Sequence, residues 1–259
     1  ERKENHRQTD RGNDMNIEIL TLFPEMFGPV RSSMLGKAIE RGLLSLQTTD
    51  IRDFTQDKHN KTDDYPFGGG AGMVMMPDPV FRALESLGAE KKRILYMSPK
   101  GSLLCKTKIE ELAEEKEIVI ICGHYEGIDE RIIEYWHAEE ISIGDYILTG
   151  GEPAALVLID AVARLIPGVL GNSDSVKEES VYSGLLEHPQ YTKPREYRDM
   201  KVPEILLGGN HKMIDLWKFE KALEITRERR PDLFEEYIKD PGELTKEERK
   251  LLEKILDIV

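Results

Sequence analysis

Glu140-Ile141-Ser142-Ile143-Gly144-Asp145-Tyr146-Ile147-Leu148-Thr149-Gly150-Gly151-Glu152 is the stretch that decides the fold. A short apolar run ends at Ile143. A glycine-rich turn follows, and a helical pattern opens at Glu152 and continues to residue 165. That helix is apolar nearly all round, which predicts burial. The same unit recurs on the N-terminal side. Residues 16–23, 43–51, 93–97 and 118–122 read as further strands. Residues 33–41, 78–87, 106–115 and 128–136 read as helices between them. Strands alternating with helices predict an α/β fold with a mostly parallel sheet.

The pattern changes after Gly168. Residues 171–184 are polar, as a linker or mobile loop would be. No strand of comparable strength follows. Residues 213–229, 231–239 and 245–258 read as helices. Pro231 suits a first helical position, and Thr245 with Glu248 makes a capping box. At the other end, residues 1–14 contain no aliphatic side chain. They read as a disordered leader or a remnant outside the natural protein, with Met15 as its start.

Composition narrows the class. Of 259 residues, 39% are apolar and 33% charged, enough for a core under a heavily charged surface. No apolar run approaches the ~20 residues of a membrane span, and no signal peptide is visible. Cys105 and Cys122 match neither a disulfide framework nor a zinc pattern, which suits a reducing, cytoplasmic setting. The net charge of −13 argues against nucleic acid. Local basic stretches argue the other way: Lys193, Arg195, Arg198 and Lys201, then Arg227, Arg229 and Arg230. Each also reads as plain solvated surface.

Several motifs carry chemistry. Gly68-Gly69-Gly70-Ala71-Gly72 allows close approach of a ligand to backbone, or is simply a flexible turn. It follows no buried strand and no Lys-Ser/Thr follows it, so it is neither a dinucleotide fingerprint nor a P-loop. The turn from Ile143 to Gly151 offers backbone groups that suit an adenine edge, or is an ordinary strand-to-helix turn. In Cys122-Gly123-His124-Tyr125-Glu126-Gly127-Ile128-Asp129-Glu130-Arg131, Glu126 and Asp129 read either as ligand contacts or as helix-start acids. Arg164 ends an apolar helix, where an arginine needs a partner. Glu178 and Glu179 sit in the polar linker, as a general base on a loop could. His59, His124, His188 and His211 have no metal spacing.

In this order, the blocks resemble the bacterial tRNA (guanine-N1)-methyltransferase family of the knotted methyltransferase superfamily. The resemblance begins at Ile19-Leu20-Thr21-Leu22-Phe23-Pro24-Glu25-Met26-Phe27 and Arg52-Asp53-Phe54. It continues through Asp63-Asp64-Tyr65-Pro66-Phe67-Gly68-Gly69-Gly70-Ala71-Gly72-Met73, Ser98-Pro99-Lys100-Gly101, the 122–131 and 142–152 blocks and Arg164-Leu165-Ile166-Pro167-Gly168-Val169-Leu170-Gly171. His188-Pro189-Gln190-Tyr191-Thr192-Lys193-Pro194 and Gly209-Asn210-His211 complete it.

The resemblance implies a parallel sheet with a C-terminal trefoil knot over residues 15–171. A linker at 172–185 and a small helical tRNA-binding domain at 186–259 would follow. It implies an obligate homodimer with its sites at the subunit interface, and a cytoplasmic enzyme with no membrane. The implied reaction carries a methyl group from S-adenosyl-L-methionine to N1 of the guanosine 3′ to the anticodon (position 37 of tRNA), which helps maintain the reading frame. Three turns would bind S-adenosylmethionine. The first holds Tyr96, Met97, Ser98, Pro99 and Gly101. The second holds Gly123, Tyr125, Glu126 and Gly127. The third holds Ser142, Ile143, Gly144, Tyr146, Leu148, Gly150 and Gly151. Asp53, Gly69, Gly70, Gly72, Met73 and Ser175 would meet the tRNA, the glycine loop doing so from the partner subunit. Arg164 would stabilise charge on guanine O6. The resemblance also implies a magnesium dependence, although no metal-binding residue is assigned.

The family's general base is an aspartate, and Glu179 stands at the matching position. Its extra methylene moves the carboxylate by roughly an ångström or more, enough to matter for rate. Asp174 and Glu178 are alternates. Pro153-Ala154 also departs from the Leu-Pro or Leu-Ala of many relatives. Two other readings compete: a knotted enzyme acting on ribose 2′-OH, and a non-catalytic RNA- or nucleotide-binding protein.

Overall fold

In the computed structural model, residues 15–170 and 181–256 are described. Residues 1–14 and 171–180, the latter with Asp174, Ser175, Glu178 and Glu179, lie outside them. The chain divides into two compact units, residues 1–171 and 172–259.

The first unit begins with β1 (Met15–Thr21), α1 (Met34–Glu40) and β2 (Leu44–Asp50). A small antiparallel pair follows, β3 (Asp63–Asp64) with β4 (Val74–Met75), and then α2 (Pro77–Ser86). Next come β5 (Arg93–Leu103), α3 (Lys106–Ala113), β6 (Glu117–Cys122), α4 (Glu130–Trp136), β7 (Glu139–Ser142) and α5 (Glu152–Ala163). The main sheet has the order β2-β1-β6-β5-β7, and every pairing in it is parallel. This is the sheet that the strand–helix alternation predicts.

Period-two alternation buries both faces. Met15, Ile17, Ile19, Ile118, Ile120 and Cys122 pack against α1, α3 and α5. Leu20, Val119 and Ile121 face the other way, toward Val80, Ala83 and Leu84 of α2 and Ile132 and Trp136 of α4. The central strand β6 therefore reads as a continuous apolar run from Ile118 to Cys122, as two-sided burial requires. Each fully buried aliphatic side chain contributes ~1.5–3 kcal/mol.

β5 runs six residues beyond the expected end at Met97. Both Met97 and Ser102 lie opposite Ile141, so residues 98–101 bulge out of the ladder between them. Gly101 allows this. A Cβ there would strike the backbone of Glu140 and Ile141.

The second unit contains a short hairpin, β8 (Glu196–Tyr197) with β9 (Met200–Lys201), which the sequence did not reveal. Its helices are α6 (His211–Arg229), α7 (Pro231–Tyr237) and α8 (Lys246–Leu256). Leu185, Leu223, Phe234, Leu252 and Ile255 form its core. Leu185 thus packs with the helices, although the expected linker extends to 185. The capping box is present: Thr245 N–H donates to Glu248 Oε2 at 2.8 Å, and Glu248 N–H donates to Thr245 Oγ1 at 3.2 Å. Among the described residues no helix is long and apolar enough to cross a membrane.

Candidate active site at the carboxyl ends of the sheet

Three loops leave the same edge of the sheet. One is the bulge in β5, the second follows β6, and the third joins β7 to α5. Parallel sheets place ligands at this carboxyl edge, because each strand ends there and its loop is free to vary. The loops surround a cleft of about 240 Å³. All the residues expected to bind S-adenosylmethionine line it except Gly101, which lies at the end of the β5 bulge against the backbone of Glu140 and Ile141. Lys100, His124, Ile133, Ile141, Ile147 and Thr149 line it as well.

Close backbone packing shapes the walls. A Cβ on Gly123 would stand 2.8 Å from the Tyr96 ring, and one on Gly151 would stand 2.9 Å from Cys122 Cα. Gly151 N–H donates to Gly123 O at 2.9 Å, which ties the second loop to the third. Within the third loop, Gly144 at φ 149° lets the Tyr146 ring fold back over the chain. Tyr146 then donates from its hydroxyl to Ile143 O at 3.2 Å.

Two acids left open by the sequence separate. Asp129 is a helix-start acid: it caps α4, accepting from Arg131 N–H at 3.0 Å. Glu126 lies outside the helix, on the cleft wall. The Arg131 guanidinium holds the Asp129 carboxyl below its usual range. Burial pushes the Tyr96 hydroxyl up to about 12, and Glu140 adds to the rise. Burial, with Glu152 beside it, also raises Cys122 well above a normal thiol, so it is an inert core residue.

The sequence missed one feature outright. Glu152, expected as an ordinary helix opener, is fully buried. It lies 2.6 Å from Thr21 Oγ1 and 2.8 Å from His124 Nε2. These partners are distant in the chain, so no local spacing could reveal them.

Other expected residues stand apart. Asp53, Gly69, Gly70 and Gly72 are exposed, and Met73 is half-buried. None of them lines the cleft, but Gly72 packs on Glu126, which does. Arg164 is the half-buried C-cap of α5. It follows Glu152 by twelve residues, roughly 18 Å at ~1.5 Å per residue. Glu179 and Ser175 fall outside the described residues. Among the described residues, no group of three His, Cys, Asp or Glu side chains is placed to hold a metal ion.

Fold and cleft define the class: an α/β protein with a ligand-sized cleft at the carboxyl ends of a parallel sheet. Within that class, the profile described as tRNA (Guanine-1)-methyltransferase TrmD matches residues 15–236. This chain belongs to that family. It is similar to proteins named tRNA (guanine-N(1)-)-methyltransferase from Bacillus cereus (strain AH820), Bacillus anthracis (strain CDC 684 / NRRL 3495) and Bacillus thuringiensis subsp. konkukian (strain 97-27). Each is 54% identical over 245 residues, covering 93% of this chain and 98% of the relative.

Proposed function

We propose that this chain is a tRNA methyltransferase acting on N1 of the guanosine that follows the anticodon, position 37 of tRNA. The observation that carries this reading is the convergence of three loops on one cleft, in a chain of this family. The cleft suits S-adenosylmethionine. Ile133, Ile141 and Leu148 offer apolar surface to a flat ring. Ser98, Ser142 and the glycine backbones offer hydrogen-bonding groups to its edges. Glu126 brings a carboxylate to a ligand that carries positive charge. S-adenosylmethionine supplies an electrophilic methyl group on a sulfonium sulfur.

The chain's own residues have three tasks. The loops hold the donor in line with N1, a positioning task that can carry a large share of the rate. Glu179 accepts the N1 proton as general base, with Glu178 and Asp174 as alternates. Arg164 donates to guanine O6 as charge develops there. Arg164 sits at the far end of α5 from the cleft of its own chain. A homodimer, in which one chain's arginine serves the partner's cleft, accounts for that separation. The glycine loop, with Asp53, Met73 and Ser175, meets the tRNA. A trefoil knot formed by the cleft loops belongs to this reading, as do a cytoplasmic setting and a magnesium requirement. The second unit holds tRNA through Lys193, Arg195, Arg198 and Lys201, a stretch that stays net positive although Glu196 and Asp199 lie within it.

Labelled methyl transfer from S-adenosylmethionine to unmodified tRNA, with nucleoside analysis, tests the reading. The parent is expected to yield N1-methylguanosine and Glu179→Gln almost none. A 2′-O-methylated product, or no product at all, overturns the assignment. An unimpaired Glu179→Gln moves the base to Glu178 or Asp174.

A further inference from the structure

Glu152 is an unusual residue to bury. A carboxylate taken from water is costly unless its oxygens are satisfied. Here both are. Thr21 donates to Oε1 at 2.6 Å, and Oε2 lies 2.8 Å from His124 Nε2. The carboxylate can only accept, so Nε2 is the donor. Thr21 is itself fixed by Phe23, whose N–H donates to Thr21 Oγ1 at 2.9 Å. The Phe23 ring then rests on the His124 ring, with centroids 4.8 Å apart. The contacts close a circuit through the end of β1, the start of α5 and the loop after β6.

The circuit stands behind the cleft. Thr21 and Glu152 do not line it, whereas His124 does. His124 also bridges to Gly150, and Gly151 N–H donates to Gly123 O at 2.9 Å. The second and third loops are therefore held together at one point, and Glu152 sits at that point.

We propose that Thr21, Glu152 and His124 act as positioning residues that set the spacing of the second and third cofactor loops. The proposal rests on the cofactor reading above. None of the three needs to touch the reacting atoms. Their effect falls on S-adenosylmethionine affinity, and the turnover of the loaded enzyme changes little.

Titration calorimetry with S-adenosylmethionine, alongside initial rates with tRNA, tests this on the full chain. Thr21→Val removes a donor behind the cleft without changing side-chain size. His124→Leu removes the donor and the ring. His124→Gln removes the ring but keeps a donor near Nε2. Thr21→Val and His124→Leu are expected to weaken binding at least about tenfold. Both should raise the KM for S-adenosylmethionine, with kcat within about threefold of the parent. His124→Gln is expected to recover most of the affinity lost by His124→Leu, which ring packing alone would not allow. If Thr21→Val loses its folded state, the His124 pair decides alone. A parent that gives no binding heat sinks the cofactor reading and the positioning role with it. A binding parent with unchanged Thr21→Val, or with His124→Gln as weak as His124→Leu, overturns the positioning role and leaves the cofactor reading standing.

Discussion

A Cβ added to Gly72 would stand 2.5 Å from both Cγ and Oε1 of Glu126. The glycine loop and the loop after β6 are thus packed against each other with no room for a methyl group. Backbone bonds reinforce the contact: Glu126 N–H donates to Met73 O, and Met75 N–H to Gly127 O, both at 3.0 Å. A displacement of either loop must therefore be felt by the other. On the reading proposed above, one of these loops meets the tRNA and the other holds the methyl donor.

Gly72→Ala should therefore do more than stiffen a loop. Gly72 has φ 87°, which costs a non-glycine residue ~1–3 kcal/mol. The added methyl must also push Glu126 aside. Cofactor affinity is expected to fall about tenfold, ~1.4 kcal/mol. In urea unfolding, Gly72→Ala with Glu126→Ala should recover the clash but not the backbone strain. A double variant no more stable than Gly72→Ala alone would show that Glu126 is not the obstacle.

Gly101 makes a sharper case, because the atoms its Cβ would strike are backbone. Neither Glu140 nor Ile141 can swing away as a side chain can. Gly101→Ala must therefore open the β5–β7 ladder, and a loss of ~1–3 kcal/mol or more in urea unfolding is expected. Gly28→Ala is the control, since a Cβ there meets nothing within 4 Å. It should change stability by no more than ~0.5 kcal/mol.

The contrast between these glycines reflects what the sequence could carry. β1, β2, β6 and β7 were legible to within one or two residues: two-sided burial makes β6 a continuous apolar run, and β1 and β2 carry alternating aliphatic residues that face the core. β5 was cut short at Met97. Residues 98–101 carry no apolar pattern, and only pairing with β7 reveals that the strand resumes at Ser102. α4 begins at Glu130 and not at the expected 128, because Ile128 is held in a bridge to Met75 and Asp129 is spent as the cap. The two-residue strands β8 and β9 are too short to carry a period. The three cleft loops were legible through family resemblance, since glycine turns read locally as plain turns. Glu152 was not legible as a buried group. Its partners lie 131 and 28 residues away, and no local pattern encodes contacts at that range.

Tyr96 links the cleft to alkaline stability. Its hydroxyl is raised from 10.0 to about 12, chiefly by burial. The folded state therefore keeps the proton while the unfolded chain releases it. The neutral tyrosine's contribution is complete below about pH 10 and is lost as pH rises from 10 toward 12. Over that window the folded state should lose up to ~1.4 kcal/mol per pH unit from this group. Tyr96→Phe has no proton to lose. Urea midpoints for the two proteins should draw together, or cross in favour of the variant, between pH 9 and 11. A gap that stays constant over that range would assign the alkaline loss to other groups.

Gly150 gives a test that separates backbone from side-chain constraint. Its φ is not positive, so alanine is conformationally acceptable there. A Cβ would nevertheless strike the His124 ring and stand 2.6 Å from Glu152 Oε2. Gly150→Ala alone must displace His124 from Glu152 and leave the buried carboxylate short of a donor, at a cost of ~1–3 kcal/mol. His124→Ala loses the same donor but opens the space that the new methyl needs. The two changes share one cause, so their effects should not add. The double variant is expected to be more stable than the sum of the singles predicts, by at least ~0.5 kcal/mol in a double-mutant cycle. Strict additivity would mean that the clash at Gly150 is relieved without moving His124, and the tight packing of the two loops would then not depend on the histidine.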